Sequence, residues 1–436
     1  MNPCQRVSHR LIETSSAGMT EEQAAEEQPT GIAVDQPREG LPELITTDKQ
    51  LIHAADSLKS GTGPVALDAE RASGFKYSGR AYLVQLRREG SGTFLIDPTF
   101  FADLHLIQEA LKDVDWILHA ASQDLVCLRE AGLFPTAQLF DTELAGRILG
   151  CDRVGLGPLL LAELGFSLAK EHSAADWSTR PLPEKWLNYA ALDVEFLIEL
   201  WAILSEQLIA ADKYDWAIQE FNHVKDNTAP IVREDPWRRT SGLHGARKPR
   251  QLAIVRSLWQ TRDQIARDQD IAPGRILPDS IFVQIATETV ESDSRVEDLP
   301  ALNGRLTRRN KKLWVGAVYD ALALSEDELP ATRVRSTTPP PPRTWQEKNP
   351  AAFAQLEQVR SGIAALAESL NMPVENLITP ETVRRILWTP PADETELQQM
   401  LETYNARPWQ QEIVTPLLRQ ALFDSPISTE LASAAE

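Results

Sequence analysis

This 436-residue sequence is short of cysteine, of long apolar runs and of positive charge to balance its acids, with 44 Lys and Arg against 63 Asp and Glu. Its three cysteines, Cys4, Cys127 and Cys151, form no CxxC pair. That argues against a disulfide framework or a zinc knuckle and makes a reducing, cytoplasmic setting the expectation. No stretch approaches the roughly 20 apolar residues that span a bilayer, so no membrane partner is expected. The first twenty residues lack the apolar core, roughly 7–15 residues long, that marks an export signal. A formal charge of −19 argues against coating nucleic acid by bulk attraction.

What is present suits a folded chain. Hydrophobic residues make up 42% and charged residues 25%, enough apolar material to bury a core. At roughly 100–200 residues per domain the length allows two to four domains. The charge is uneven. Residues 1–45 hold eight acidic residues against three arginines, whereas basic residues cluster between Arg238 and Lys312.

Residues 1–42 are rich in Ala, Glu, Gln, Thr and Pro and read as a disordered acidic tail. A mixed pattern over 43–220 predicts an α/β domain. VALDAE (65–70), YLVQLR (82–87) and TFLID (93–97) read as strands joined by Gly-containing turns, which favours antiparallel hairpins. Residues 104–111 then read as a helix, 116–120 as a strand and 125–132 as a second helix. LFDTELAGRIL (139–149) starts extended and continues helically, and 185–204 reads as one amphipathic helix. Strands followed by alternating strand and helix indicate a mixed sheet. A linker is expected over 221–247. The period is purely helical over 248–330 and again over 348–425, with a stiff Pro-rich linker at 331–347 and a tail at 426–436. DIAPGRILPDSIFVQIA (270–286) and NMPVENLITPETVRRIL (371–387) align at one offset, so the two helical units are read as a duplication.

Three pieces carry potential chemistry. Asp68 and Glu70 lie two apart on a strand and project from one face, with Leu67 and Ala69 on the other. Tyr189 and Asp193 lie four apart on a helix and share a side. Asp124 falls where a strand enters a helix that Ser122 is placed to cap. Taken singly, each has a structural explanation: a solvated strand end, a half-buried Tyr beside an edge Asp, a residue complementing a helix dipole. Taken together, Asp68, Glu70, Asp124 and Asp193 form the oxygen set that two Mg²⁺ or Mn²⁺ ions need. Two such ions, about 3.5–4 Å apart, can activate water and stabilise the leaving oxygen of a phosphodiester.

PVALDAERASGFKYSGRAYLVQL, ILHAASQDLVCL and YAALDVEFL, with the lead-in ADWSTRPLPEKWLNYAALDV, resemble the three exonuclease motifs of the ribonuclease D family. That family is the tyrosine-bearing branch of the DEDD exonucleases. The resemblance runs from about Pro42 to Leu204. It extends to both helical units, which resemble helicase-and-RNase-D C-terminal (HRDC) domains, the second more divergent. It implies an RNase H-like exonuclease fold followed by two small all-α HRDC-like domains. By position, Asp68, Glu70, Asp124 and Asp193 are the implied metal ligands. Asp68 bridges two divalent ions, Glu70 binds the ion on the side of the attacking water, and Asp124 holds the other through water. Tyr189 positions the attacking water, since a phenol with a pKa near 10 is a poor base. Asp141 and His119 are expected in supporting roles. Tyr82, Gln85 and Trp177 are candidate nucleotide contacts, each with a packing alternative. Arg247, Lys248, Arg250, Arg256 and Arg262, and the later Arg305, Arg308, Arg309, Lys311 and Lys312, are candidates to face phosphate or a solvated helix face. Trp388 and Trp409 read as packing or protein-contact groups.

The implied activity is metal-dependent 3′–5′ exoribonuclease action releasing 5′-mononucleotides. The implied partners are RNA 3′ ends, those of tRNA precursors and small structured RNAs, with a monomer favoured. The alternatives are a DNA 3′–5′ exonuclease and a catalytically silent RNA-binding scaffold.

Overall fold

The computed structural model describes residues 31–168, 174–229, 233–291, 294–333 and 338–424. The chain enters through β1 (Ile32–Val34), β2 (Leu44–Ile45) and α1 (Asp48–Ser60). It continues through β3 (Thr62–Arg71), β4 (Ala81–Glu89), β5 (Gly92–Ile96), α2 (His105–Ala110), β6 (Trp116–Leu118), α3 (Leu125–Glu130) and β7 (Leu139–Asp141). Then follow α4 (Thr142–Leu149), α5 (Leu156–Leu164), β8 (Phe166–Leu168), α6 (Glu184–Glu195), α7 (Leu197–Ala210) and α8 (Tyr214–Asn227). Six strands form one mixed sheet in the order β2-β5-β4-β3-β6-β7. β3 pairs antiparallel with β4 and parallel with β6, so it lies inside the sheet and both its faces are covered.

Alternation along β3 sorts its side chains between two layers. Leu67 and Ala69 pack with Leu51, Ala54 and Leu58 of α1. Ala66 packs on the other side with Val194 and Leu197, and Asp68 and Glu70 share its parity. The two acids therefore project toward the layer that contains α6. Thr47 and Gln50 form a capping box that starts α1, satisfying amides that the helix itself leaves unpaired.

The first helical unit contains α9 (Pro249–Gln269), α10 (Pro273–Ile276), α11 (Asp279–Glu291), α12 (Arg305–Arg308) and α13 (Lys311–Ala323). The second contains α14 (Trp345–Lys348), α15 (Pro350–Ser369), α16 (Val374–Leu377), α17 (Pro380–Trp388), α18 (Glu394–Thr403) and α19 (Pro408–Arg419). α9, α10 and α11 recur as α15, α16 and α17, each long helix starting on a proline. Ile285 and Ile386 are both fully buried.

The second unit shares a continuous core with the exonuclease-like domain: Phe221 and Leu204 lie in the same apolar body as Trp345, Ile386 and Trp409. Trp409 stacks on Trp216 with ring centroids 4.9 Å apart and donates from Nε1 to Glu220 at 2.8 Å. Arg407 donates to the same carboxylate at 2.6 Å. Lys213 Nζ donates to the carbonyls of Ile148 and Leu370. Gly150 has φ +75°, and a Cβ there would lie 2.1 Å from the Asn371 carbonyl oxygen, so only glycine permits this approach. The first unit docks differently, on the connection between β3 and β4. Ala272 N–H donates to Phe75 O at 2.9 Å, Tyr77 Oη to Asp263 at 3.0 Å, Ser78 N–H to Asp270 at 2.9 Å and Arg275 Nε to Gly74 O at 2.7 Å.

Several expectations need correction. Residues 1–30 of the expected tail and 425–436 at the other end lie outside the described residues. Within 31–42, β1 pairs in parallel with β8 and Arg38 bonds to buried Glu195 at 2.7 Å, so this stretch is built into the domain. The helix expected over 185–204 is two helices broken at Phe196 (φ −116°, ψ 7°), whose ring stacks on Phe166. The linker expected over 221–247 begins inside α8 and later buries Trp237 in the first helical unit. The Pro-rich stretch ends on fully buried Trp345, which donates to Pro340 O. Ser122 lies in a 3₁₀ turn, and α3 has no side-chain cap. Cys127 is a free, buried thiol.

Because the core is shared, truncating Trp409 should destabilise the exonuclease-like domain as well. Trp409→Ala is expected to cost about 3–5 kcal/mol. Calorimetry should show one transition at a lower midpoint; loss of the C-terminal helices alone, at an unchanged main transition, would count against it.

Candidate active site

β3, α6 and the turn before α3 bring the acids together. Carboxylate oxygens of Asp68, Glu70 and Asp193 lie within 4.8 Å of one another. Asp124 joins from the other side, its carboxyl hydrogen-bonded with that of Asp68 and 3.9 Å from Arg71 Nη2. Glu70 is 9% and Asp124 7% exposed, while Asp68 and Asp193 are partly open. Tyr189, one turn before Asp193, donates its hydroxyl to that carboxylate.

The electrostatics follow from burial and crowding. Burial pushes the Asp68 carboxyl up to about 6, against the opposing pull of the Ala69 amide and Arg71. Burial, then the charges of Asp68, Asp193 and Asp124, pushes Glu70 up to about 10. Asp193 and Asp124 are raised well above the carboxylate range, by burial first and by Asp68 second. Burial and the neighbouring acids push the Tyr189 phenol upward, so it stays protonated. An all-oxygen donor set whose members resist ionising side by side fits hard divalent cations.

Asp141 holds the frame around Asp124. It caps α4, accepting from the Glu143 and Leu144 amides, and also accepts from the Ala120 and Ala121 amides at 3.0 and 2.8 Å. Those bonds fix the left-handed turn at Ala120 (φ 57°) that leads into Asp124. His119 Nδ1 lies 2.9 Å from Thr142 Oγ1, and burial lowers its pKa to about 4; it is a neutral packing group tied to the start of α4.

The three candidate nucleotide contacts are all buried. Trp177 is 0% exposed and packs against Trp186 and Tyr189 with centroids 5.4 and 6.5 Å away, so its faces are already covered. Tyr82 is buried, and its hydroxyl bonds to Asp270 of the first helical unit at 3.3 Å. Gln85 is fully buried opposite Asp68. Arg250 closes the end of α13, donating to Ala321 and Leu324 carbonyls and pairing with Glu326. Arg262 is buried on Leu277 O and Asp279, and Arg256 donates to Glu328 O. Arg247 and Lys248 are exposed. Arg308, Arg309, Lys311 and Lys312 line one concavity with Glu297.

Two functional neighbours went unread. Arg180 pairs with buried Asp97 at 2.6 Å and donates to Tyr82 O and Trp177 O, locking the loop before α6 onto the sheet. Its only signal was its place inside the quoted lead-in motif. The other is Arg71 at the acidic pocket, adjacent to Glu70 but of the opposite strand parity.

Residues 42–209 match the 3'-5' exonuclease family model, 251–318 the HRDC domain, and 338–422 the 3' to 5' exonuclease C-terminal domain. The chain is 30% identical over 295 residues to ribonuclease D of Cronobacter turicensis, covering 66% of this chain and 78% of that one. A crystal structure of a protein from Bifidobacterium adolescentis is 36% identical with a TM-score of 0.83, covering 90% of this chain and 99% of that one. The crystal structure of Escherichia coli RNase D is 26% identical with a TM-score of 0.65, covering 88% and 99%.

The raised carboxyls make a pH prediction for metal-free protein. Acids whose folded-state pKa lies above the ordinary range favour folding while protonated, and that contribution is lost as pH rises through the folded value. With chelator present, the melting midpoint should fall as pH rises through about 6, where Asp68 ionises, and onward toward Glu70 ionisation. Asp68→Asn should flatten the first part of the fall. A midpoint insensitive to pH in this window would contradict the crowding.

Proposed function

The chain belongs to the ribonuclease D family of 3′–5′ exoribonucleases, and from that premise we propose a divalent-metal-dependent enzyme that releases 5′-mononucleotides from the 3′ ends of tRNA precursors and other small structured RNAs. The observation that carries this reading is the convergence of Asp68, Glu70 and Asp193 within 4.8 Å, with Asp124 beside Asp68. The E. coli relative is an exoribonuclease involved in structured RNA processing, which supports the substrate class.

Asp68, Glu70, Asp124 and Asp193 would hold two Mg²⁺ or Mn²⁺ ions. When bound, such ions supply an activated water and stabilise the leaving oxygen of the phosphodiester. Asp68, central among the acids, is suited to face both ions. Tyr189 keeps its proton and, anchored to Asp193, orients the attacking water. Asp141 and His119 hold the β6–α3 turn and the start of α4, and so aim Asp124. Exposed Arg247 and Lys248 and the cluster from Arg305 to Lys312 supply sequence-independent phosphate contacts that position RNA without reading it. No helix among the described residues is long and apolar enough to cross a membrane.

Incubation of a 3′-extended tRNA with Mg²⁺ or Mn²⁺, with identification of the released product, tests this reading. Metal-dependent release of 5′-mononucleotides is expected, weaker on matched DNA, and reduced about 10³-fold or more in Asp68→Asn. Oligonucleotide products, or equal inactivity of both proteins, would overturn it.

A further inference from the structure

Arg71 stands where a regular strand would not put it. Along β3, residues 68 and 70 share a face, and an unbroken alternation would send residue 71 to the opposite one. The pairing with β4 slips here: Glu70 lies opposite Leu83, but Arg71 lies opposite Ala81. Tyr82 is the extra residue, so the bulge lies on β4 beside the end of β3, where it raises the local twist. Arg71 Nη2 reaches to 3.9 Å from Asp124 Oδ1.

That distance is within ion-pair range but beyond a hydrogen bond. The guanidinium is held by charge and its donors are not committed to Asp124. Its side chain is 33% exposed, against 9% for Asp124, so it is the more open of the two to solvent. Its charge bears on Asp68, Glu70 and Asp124 together. A planar guanidinium offers paired donors that match the oxygens of a phosphate. Cations bound among the acids would remove the attraction that keeps Arg71 on Asp124, at the moment an RNA phosphate needs donors there.

We infer that Arg71 is a substrate-contacting residue whose guanidinium exchanges Asp124 for a non-bridging oxygen of the RNA phosphate seated at the acidic pocket. This rests on the proposed reading of that pocket as the site of phosphodiester hydrolysis.

The test uses the full chain, wild type, Arg71→Ala and Arg71→Lys, with three measurements. Mn²⁺ binding without RNA is followed by calorimetry, steady-state kinetics on a single-stranded oligoribonucleotide with Mn²⁺, and inhibition by 5′-AMP is compared with that by adenosine. Arg71→Ala is expected to bind Mn²⁺ at least as tightly as wild type, because a competing cation has gone. Its kcat/KM should fall about 10–100-fold, with part recovered in Arg71→Lys. Inhibition by 5′-AMP should weaken while that by adenosine stays the same. Unchanged kcat/KM overturns the inference. So does a loss of Mn²⁺ affinity matching the loss of activity, or unaltered 5′-AMP inhibition in a slowed variant. A wild type that binds Mn²⁺ yet degrades no RNA overturns the exonuclease reading, and the inference with it.

Discussion

Four carboxyls crowded into one largely buried pocket are the constraint around which this molecule is arranged. Each is disfavoured as a charge by burial, and each worsens the position of its neighbours. Such a cluster persists only where the surrounding structure overdetermines it. Here β3 is fixed by pairing on both edges and α6 by its packing on the sheet. The turn before α3 is fixed by the four amides that Asp141 accepts. The Arg180–Asp97 pair pins the loop that delivers α6. On the far end of α6, buried Glu195 is matched by Arg38 and Arg87. The scaffold supplies the rigidity that keeps the acids together, with Arg71 beside Asp124.

The helical units serve that site in different ways. The second merges its core with the layer behind the sheet through Trp216, Phe221 and Trp409, in the apolar body that also takes in Val194 of α6, the helix that carries Tyr189 and Asp193. The first meets the domain through the connection that leaves Arg71, by way of Phe75, Tyr77 and Ser78. Tyr82, the extra residue of the bulge, bonds to Asp270 of this unit, so one residue links the register of β3 to the docking of the helices.

Local periodicity made much of this legible. Alternation placed Asp68 and Glu70 on one face, and a spacing of four placed Tyr189 with Asp193; both are properties of short segments. Asp124 needed the family resemblance, since its approach to Asp68 depends on a parallel strand pairing that sequence spacing does not encode. Trp177, Tyr82 and Gln85 kept a packing alternative beside the nucleotide-contact reading, because aromatic and amide side chains near a site look alike whether they face substrate or core; the structure buries all three. Arg250 and Arg262 donate to backbone carbonyls, and a cation that caps carbonyls has the same local sequence as one that meets phosphate. β1 was missed because three residues in a polar stretch pair only with a strand more than a hundred residues away. Arg71 was missed because its approach to Asp124 joins a strand end to a turn more than fifty residues on, which local spacing does not encode.

The central claim is that these acids capture a pair of divalent cations, and anomalous diffraction from crystals soaked in Mn²⁺ tests it most directly. The account predicts two anomalous peaks bounded by the carboxylates of Asp68, Glu70, Asp124 and Asp193. A pocket without manganese at saturating concentration, or manganese bound only at other carboxylates, would contradict it.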